Sequence, residues 1–253
     1  VSRPASSRPA ASRPTGRQSA RDAEQLLARQ QAERRRQRLI LAALVVGIAV
    51  IVIVAGVGYS AWQRNRGPEA PAAQPTFPAT TITDGEPIIL GRADAPVTLT
   101  LYEDFRCPHC ADFEEKLGPT ITGLQRDGTV KVALYPMSFV DVEHGSRSAA
   151  NAMACAAEAG RGQQYYAGLF ANAGLEWSDQ QLLQLGRLTG ATSASFSECV
   201  TSMAHRSWVD SINAAADRNG VQETPTVELN GARKPDALSW SPDQLTAAVA
   251  AAR

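Results

Sequence analysis

Two cysteines flanking a proline and a histidine, Cys107-Pro108-His109-Cys110, are the residues of this sequence best suited to covalent chemistry. A dithiol at this spacing closes into a small ring on oxidation and reopens when a thiolate attacks it, so it fits reversible thiol–disulfide exchange. Pro108 is the residue type favoured at the first position of a helix. That places the Cys107 sulfur at a helix N-terminus, where unsatisfied backbone N–H groups and the helix dipole favour an anion. A thiolate is such an anion, and His109 adds a further donor or positive charge beside it. A thiol stabilised in this way is a good leaving group, which makes its disulfide oxidising. Cys110, one turn along, is then the resolving partner. Two other uses of the pair stay open at this point. One is a permanent structural disulfide. The other is half of a zinc site, but such a site needs four ligands, and the chain offers neither a second CxxC nor a paired histidine. His144 and His205 stand alone, so no metal is expected, and nothing calls for a cofactor.

The segments around the cysteines must hold them in place. Ahead of them, Val97, Leu99 and Leu101 alternate with Thr98, Thr100 and Tyr102, the period of a half-buried strand. Behind them Phe113, Leu117, Ile121 and Leu124 recur at helical spacing. Pro119 falls inside this helix and is expected to kink it, since it removes one backbone donor and crowds the preceding turn. Val130, Val132 and Leu134 mark a second strand. From about 144 to 219 the pattern is helical only. Ser146 to Ala159 is too rich in alanine for its buried face to be read. Ser178 with Gln181 forms a capping box ahead of Leu182, Leu185 and Leu188; Phe196, Val200 and Met203 trace another stripe, and Trp208, Ile212 and Ala215 a third. Pro225 to Leu229 reads as a strand entering an Asn230-Gly231 hairpin, and Ser241-Pro242-Asp243-Gln244 opens a last helix.

This order of elements is similar to that of a thioredoxin fold with a helical domain inserted in its middle. The resemblance becomes specific at Tyr102-Glu103-Asp104-Phe105-Arg106 leading into the CPHC motif, at Thr224-Pro225-Thr226, and at Cys155 with Cys199 in the helical block. Together these look like the DsbA-like thiol:disulfide oxidoreductases, more narrowly their membrane-anchored actinobacterial members, over about residues 81–253. The fold class so implied is α/β, thioredoxin-like, with a helical insertion at about 144–219. The resemblance implies that Thr224 and Pro225 form a loop facing the active-site disulfide, offering backbone groups to an extended substrate by strand addition. It also implies exported protein or peptide thiols as substrates and a membrane quinone-linked partner that re-oxidises the enzyme. One position departs from the pattern. Six residues before Cys107, where relatives often carry a buried acid, this chain has Leu101, which leaves Glu103 or Asp104 to take over a proton relay. The direction stays open between disulfide donation and reduction or isomerisation, as does a non-catalytic domain with structural cysteines. With Cys107 paired to Cys110, Cys155 and Cys199 are expected to form a structural disulfide, worth about 4 kcal/mol in a chain-entropy account.

The N-terminal part has a different character. The 253-residue chain carries no net charge overall. Residues 1–38, however, hold ten arginines against Asp22, Glu24 and Glu33, and read as a basic, disordered tail. Aromatic residues do not interleave these charges, which disfavours nucleic-acid binding. From Leu39 to Tyr59 no residue is charged, and a helix of that length crosses roughly 30 Å of hydrocarbon. With Tyr59 and Trp62 as interfacial aromatics, residues 39–62 form a candidate transmembrane helix. The arginines at 34–36 and 38 abut its N-terminal end, so the positive-inside rule puts the N-terminus in the cytoplasm and the cysteines outside. Pro68, Pro71, Pro75 and Pro78 make residues 63–80 an extended spacer before the domain.

Overall fold

The computed structural model describes residues 16–253. Its first helix, α1 (Gly16–Asn65), is a single long element, and the stretch Glu33–Trp62 is long and apolar enough to cross a membrane. Its large side chains, Leu39 through Trp62, are exposed. Residues 16–38 are therefore helical where a disordered tail was expected, while residues 1–15 lie outside the described residues. Good helix formers such as Ala, Gln, Glu and Arg fill this stretch, and the apolar helix that follows extends backwards into it.

Residues from Ala61 onward form a separate compact unit. Strand β1 (Ile88–Leu90) is followed by β2 (Val97–Glu103), helix α2 (Pro108–Arg126) and β3 (Val130–Pro136). Five helices come next: α3 (Gly145–Glu158), α4 (Gly162–Ala171), α5 (Asp179–Thr189), α6 (Ala194–Thr201) and α7 (Arg206–Arg218). The hairpin β4 (Thr226–Leu229) and β5 (Ala232–Arg233), a short 3-10 turn and α8 (Pro242–Ala251) complete the chain. The sheet order is β1-β3-β2-β4-β5, with β2 and β3 parallel and every other pairing antiparallel.

β2 sits at the centre of the sheet, and its burial departs from the half-buried pattern that its alternation suggests. Consecutive residues from Leu99 to Asp104 are all buried. Successive side chains of a strand point to opposite faces, so both faces are covered. On one face Tyr102 stacks on Tyr135 at 4.4 Å and accepts a hydrogen bond from Asn219 just past α7. The opposite face carries Leu99, Leu101 and Glu103, and Glu103 is as deeply buried as the leucines. Helix α3 is buried over most of its circumference, which is why its alanines show no stripe.

Local signals in the sequence correspond to real caps. Ser178 and Ser241 each open a helix through a reciprocal capping box with Gln181 and Gln244. Asn230 and Gly231 both adopt positive φ, the geometry of a tight two-residue hairpin. Helix α2 runs on through Pro119; the carbonyl that loses its donor there belongs to Glu115, an exposed residue. The stretch from Arg66 to Thr80 has neither helix nor strand, and it is tied to the domain. Side-chain amides of Gln181, Asn172 and Gln164 bond the backbone of Arg66, Glu69 and Pro75, and Thr80 N–H donates to the Ala157 carbonyl. Composition alone does not reveal partners supplied by a distant helical block.

Cys155 on α3 and Cys199 on α6 are joined by a disulfide, with Cα atoms 5.9 Å apart. Gly145 opens α3 where there is no room for a side chain: an added Cβ would lie 2.3 Å from the Glu176 carbonyl oxygen and 2.7 Å from Arg106 Cδ. Gly145→Ala is expected to destabilise the domain by about 2 kcal/mol, because the backbone at Glu176 and the Arg106 side chain must both shift. Thermal unfolding followed by the fluorescence of buried Trp177 and Trp208 reads this directly, and an unchanged midpoint would count against the packing described.

Candidate active site

Cys107 is the N-cap of α2, in an extended conformation, and Pro108 is the first helical residue. Two backbone bonds fix the turn: Cys107 N–H donates to the Asp104 carbonyl at 2.9 Å, and Ala111 N–H donates to the Cys107 carbonyl at 3.1 Å. Both cysteines are free thiols, and their exposure differs, 6% for Cys107 and 0% for Cys110. The peptide between Thr224 and Pro225 is cis, and the Thr224 carbonyl accepts a hydrogen bond from Cys107 Sγ at 3.5 Å. The hairpin of β4 and β5 thus brings Thr224 and Pro225 to the sulfur across more than a hundred residues.

The two thiols are driven in opposite directions. Cys107 is pulled down to about 5, first by the hydrogen bond from Cys110, then by the Thr224 side chain and by the backbone N–H groups of Cys110 and His109 at the helix N-terminus; burial opposes them. Burial pushes Cys110 far up, and the bond to Cys107 and the charge of Glu103 add to this. One sulfur is therefore a ready thiolate and leaving group while the other holds its proton. The His109 ring is largely solvent-exposed, with Nδ1 3.9 Å from Asp112 Oδ2. The group of His109 that bonds the Cys107 sulfur is its backbone N–H, where the sequence pointed to the side chain.

Of the two acids proposed to replace the residue at Leu101, the structure separates the roles. Asp104 is buried and fully engaged: it accepts from the N–H groups of Arg106, Phe139 and Val140 and from the Ser146 hydroxyl. It ties the active-site turn to the loop after β3. Glu103 is the acid whose charge acts on the cysteines. Its Oε2 accepts a 2.5 Å bond from the Tyr166 hydroxyl, and its Oε1 has no partner. Burial, the neighbouring Glu114 and Cys107 raise it well above the ordinary carboxylate range.

Glu114 and Tyr166 escape a reading of the sequence. Glu114 lies one turn beyond Cys110 on α2, a spacing that faces the same side of a helix, and this was the one available signal. Tyr166 carried none, because only the folding of the helical insert brings α4 against α2. Away from the active site, His205 is not isolated: its Nε2 lies 2.8 Å from Glu158 Oε2, and it sits close to the Cys155–Cys199 disulfide.

The fold has counterparts among known proteins. Residues 83–250 match a family described as Thioredoxin. No curated protein matches the sequence. Among solved structures, the reduced form of the disulfide bond oxidoreductase DsbG from Mycobacterium tuberculosis is 25% identical, with a TM-score of 0.57, covering 66% of this chain and 88% of its own. Oxidised DsbA from the same organism is also 25% identical, with a TM-score of 0.56 and coverage of 65% and 91%. MdbA, a thiol-disulfide oxidoreductase from Corynebacterium diphtheriae, shares the fold at 21% identity, with a TM-score of 0.58 and coverage of 72% and 98%.

The depressed thiol generates a pH prediction. Alkylation of the reduced protein is expected to rise as pH passes about 5 and to level off near neutrality, with modification confined to Cys107. Because the folded value lies below the ordinary 9.0, the thiolate's contribution to stability is complete above that value and is lost as pH falls through about 5. A rate that still climbs steeply towards pH 9.0, or labelling of Cys110 first, would reverse the assignment.

Proposed function

The chain belongs to the thioredoxin family, and from that premise we propose that it is a membrane-anchored thiol:disulfide oxidoreductase that donates disulfides to exported proteins through Cys107 and Cys110. The observation that carries this reading is the opposite tuning of the two sulfurs at the N-terminus of α2. In the oxidised enzyme a substrate thiolate attacks Cys107 Sγ, the sulfur with residual exposure. The Cys107–Cys110 bond breaks, and Cys110 leaves with the electron pair and takes up a proton. A second substrate thiol then attacks the substrate sulfur of the mixed disulfide and expels Cys107 as a thiolate. A leaving group this acidic favours release, so the exchange runs towards oxidised substrate.

Glu103 is the proton donor and acceptor for Cys110 in this reading. It is buried on the strand that leads into the motif, its charge acts on Cys110, and its unpartnered Oε1 is available for the transfer. Thr224 and Pro225 supply a backbone edge beside Cys107 along which an extended substrate segment binds, so that recognition is largely independent of side chains. The two electrons gained in each cycle pass to a membrane quinone-linked partner, a role suited to an enzyme fixed at the membrane by Glu33–Trp62. The Cys155–Cys199 disulfide is structural and braces the helical insert.

Two experiments test this. Cys107→Ser is expected to abolish oxidation of a reduced peptide, while in Cys110→Ala the Cys107 thiolate attacks a substrate disulfide and the mixed disulfide accumulates, because the neighbouring thiol that would release it is gone. Mixed disulfides that accumulate in Cys107→Ser would invert the roles. For orientation, a reporter fused after Arg253 is expected to be active only outside the cytoplasmic membrane, since the arginines flank the N-terminal side of the span. Activity confined to the cytoplasm would remove the oxidising compartment that the proposal requires.

A further inference from the structure

We propose that the Cys155–Cys199 pair, in its reduced dithiol form, is a zinc-binding site completed by His205, with Glu158 as the residue that orients the imidazole. Nothing in this inference depends on exchange at Cys107 and Cys110.

Three helices converge at the pair, and each supplies part of the cluster. Asn151, Cys155 and Glu158 follow one another on α3 at intervals of four and three residues, the spacing of a single helical face. Cys199 comes from α6, and His205 is the N-cap of α7. Between them the chain turns through Met203, whose φ is positive, and Ala204 N–H donates to the Cys199 carbonyl at 3.1 Å. The turn brings His205 back to the cysteines. Among the described residues, Cys155, Cys199 and His205 form the group whose sulfur and ring-nitrogen ligand atoms all lie within 4.8 Å of one another. A tetrahedral zinc ion with two thiolates and an imidazole holds its ligand atoms about 3.5 to 3.8 Å apart. Rotation of the two cysteine side chains, whose Cα atoms stand 5.9 Å apart, is enough to open the sulfurs to that spacing.

The surroundings suit a metal. Asn151 is fully buried and ties the three helices together around the sulfurs. Its Oδ1 accepts from His205 N–H at 2.8 Å, and its Nδ2 donates to the Cys199 carbonyl at 3.4 Å and to Cys155 Sγ at 3.8 Å. A donor on the sulfur favours the thiolate that a metal requires. Glu158 Oε2 lies 2.8 Å from His205 Nε2, which leaves Nδ1 for the metal, the arrangement in which a carboxylate fixes a ligating imidazole. Two thiolates and an imidazole select zinc over magnesium or calcium. Cys199 and His205 are partly exposed, so the ion has a way in and its fourth position is open to water.

The disulfide must first be opened by a dithiol reductant. Its thiolate attacks Cys199 Sγ, the partly exposed sulfur; the S–S bond breaks, and Cys155 leaves with the electron pair beside the Asn151 amide and takes up a proton. The second thiolate of the reductant then attacks the reductant's sulfur in the mixed disulfide, closes a cyclic disulfide and releases Cys199 as a thiolate. Two electrons pass to the protein. Zinc binding displaces the remaining thiol protons to water, and both sulfurs ligate as thiolates. The disulfide joins α3 to α6, whereas the zinc ion holds α7 as well.

The test uses the full-length protein in detergent carrying Cys107→Ser and Cys110→Ser, so that no other thiol responds. After reduction with dithiothreitol and its removal under argon, cobalt(II) is titrated in as a spectroscopic probe, followed by zinc(II). A single equivalent of cobalt(II) is expected to give thiolate-to-cobalt charge transfer and the intense visible bands of tetrahedral coordination, both lost on adding zinc(II). His205→Ala and Glu158→Gln, each added to this background, are expected to weaken cobalt(II) binding about tenfold or more. The unreduced protein should show neither band. Absence of charge transfer after reduction, unaltered affinity in His205→Ala, or the same bands in the unreduced protein would each overturn the site; unaltered affinity in Glu158→Gln would remove the orienting role alone. If reduction loosens the helical insert, zinc(II) is expected to restore the near-ultraviolet circular dichroism of Trp208, whose ring lies 6.5 Å from that of His205, in the parent and not in His205→Ala. Equal recovery in both, or recovery in neither, counts against the proposal.

Discussion

A thiolate at the first turn of a helix is stable only while the donors around it stay fixed, and much of the domain is arranged to keep them so. Cys107 caps α2, and the backbone N–H groups of His109 and Cys110 meet its charge. These donors hold their direction because Asp104, immediately upstream, is locked by four hydrogen bonds from its own turn, from the loop after β3 and from α3. Arg106 adds an ion pair to Asp141 at 2.7 Å, and Asp141 in turn accepts from the backbone at the start of α3. The active-site turn is thereby fastened to the helical insert as well as to the sheet. Preorganisation of this kind is what makes a hydrogen-bonded anion cheaper in the protein than in water.

The same enclosure that sharpens Cys107 raises a difficulty for its partner. Cys110 lies in the core, where losing a proton is costly, yet resolving a mixed disulfide requires it to become a nucleophile. Covering both faces of the sheet creates that cost, and placing a carboxyl on the buried face of β2 is a local remedy. Glu103 is itself expensive to bury, since an unpaired charge in a poorly polar interior is strongly disfavoured. Tyr166 reduces the expense by donating a hydrogen bond to Glu103 Oε2, and burial raises the neighbouring Glu114 to about 7. The helical insert thus supplies a hydrogen-bond donor to the buried acid as well as a wall.

Sequence by itself carried the features that depend on near neighbours. The CPHC motif, the N-cap and N1 positions, both capping boxes, the Asn230-Gly231 turn and the apolar span each rest on residues a few positions apart, where residue type alone limits the backbone. Tertiary structure decided whatever depends on burial or on distant partners. The alternation in β2 was legible, but its second covered face was not, because the helices that cover it lie far along the chain. The exposed His109 ring, the tethered stretch from Arg66 to Thr80 and the division of labour between Glu103 and Asp104 have the same origin: each is fixed by which side chain or solvent meets it after folding. A carboxyl titrates according to its surroundings, and only the packing of α4 against α2 gave Glu103 and Glu114 theirs.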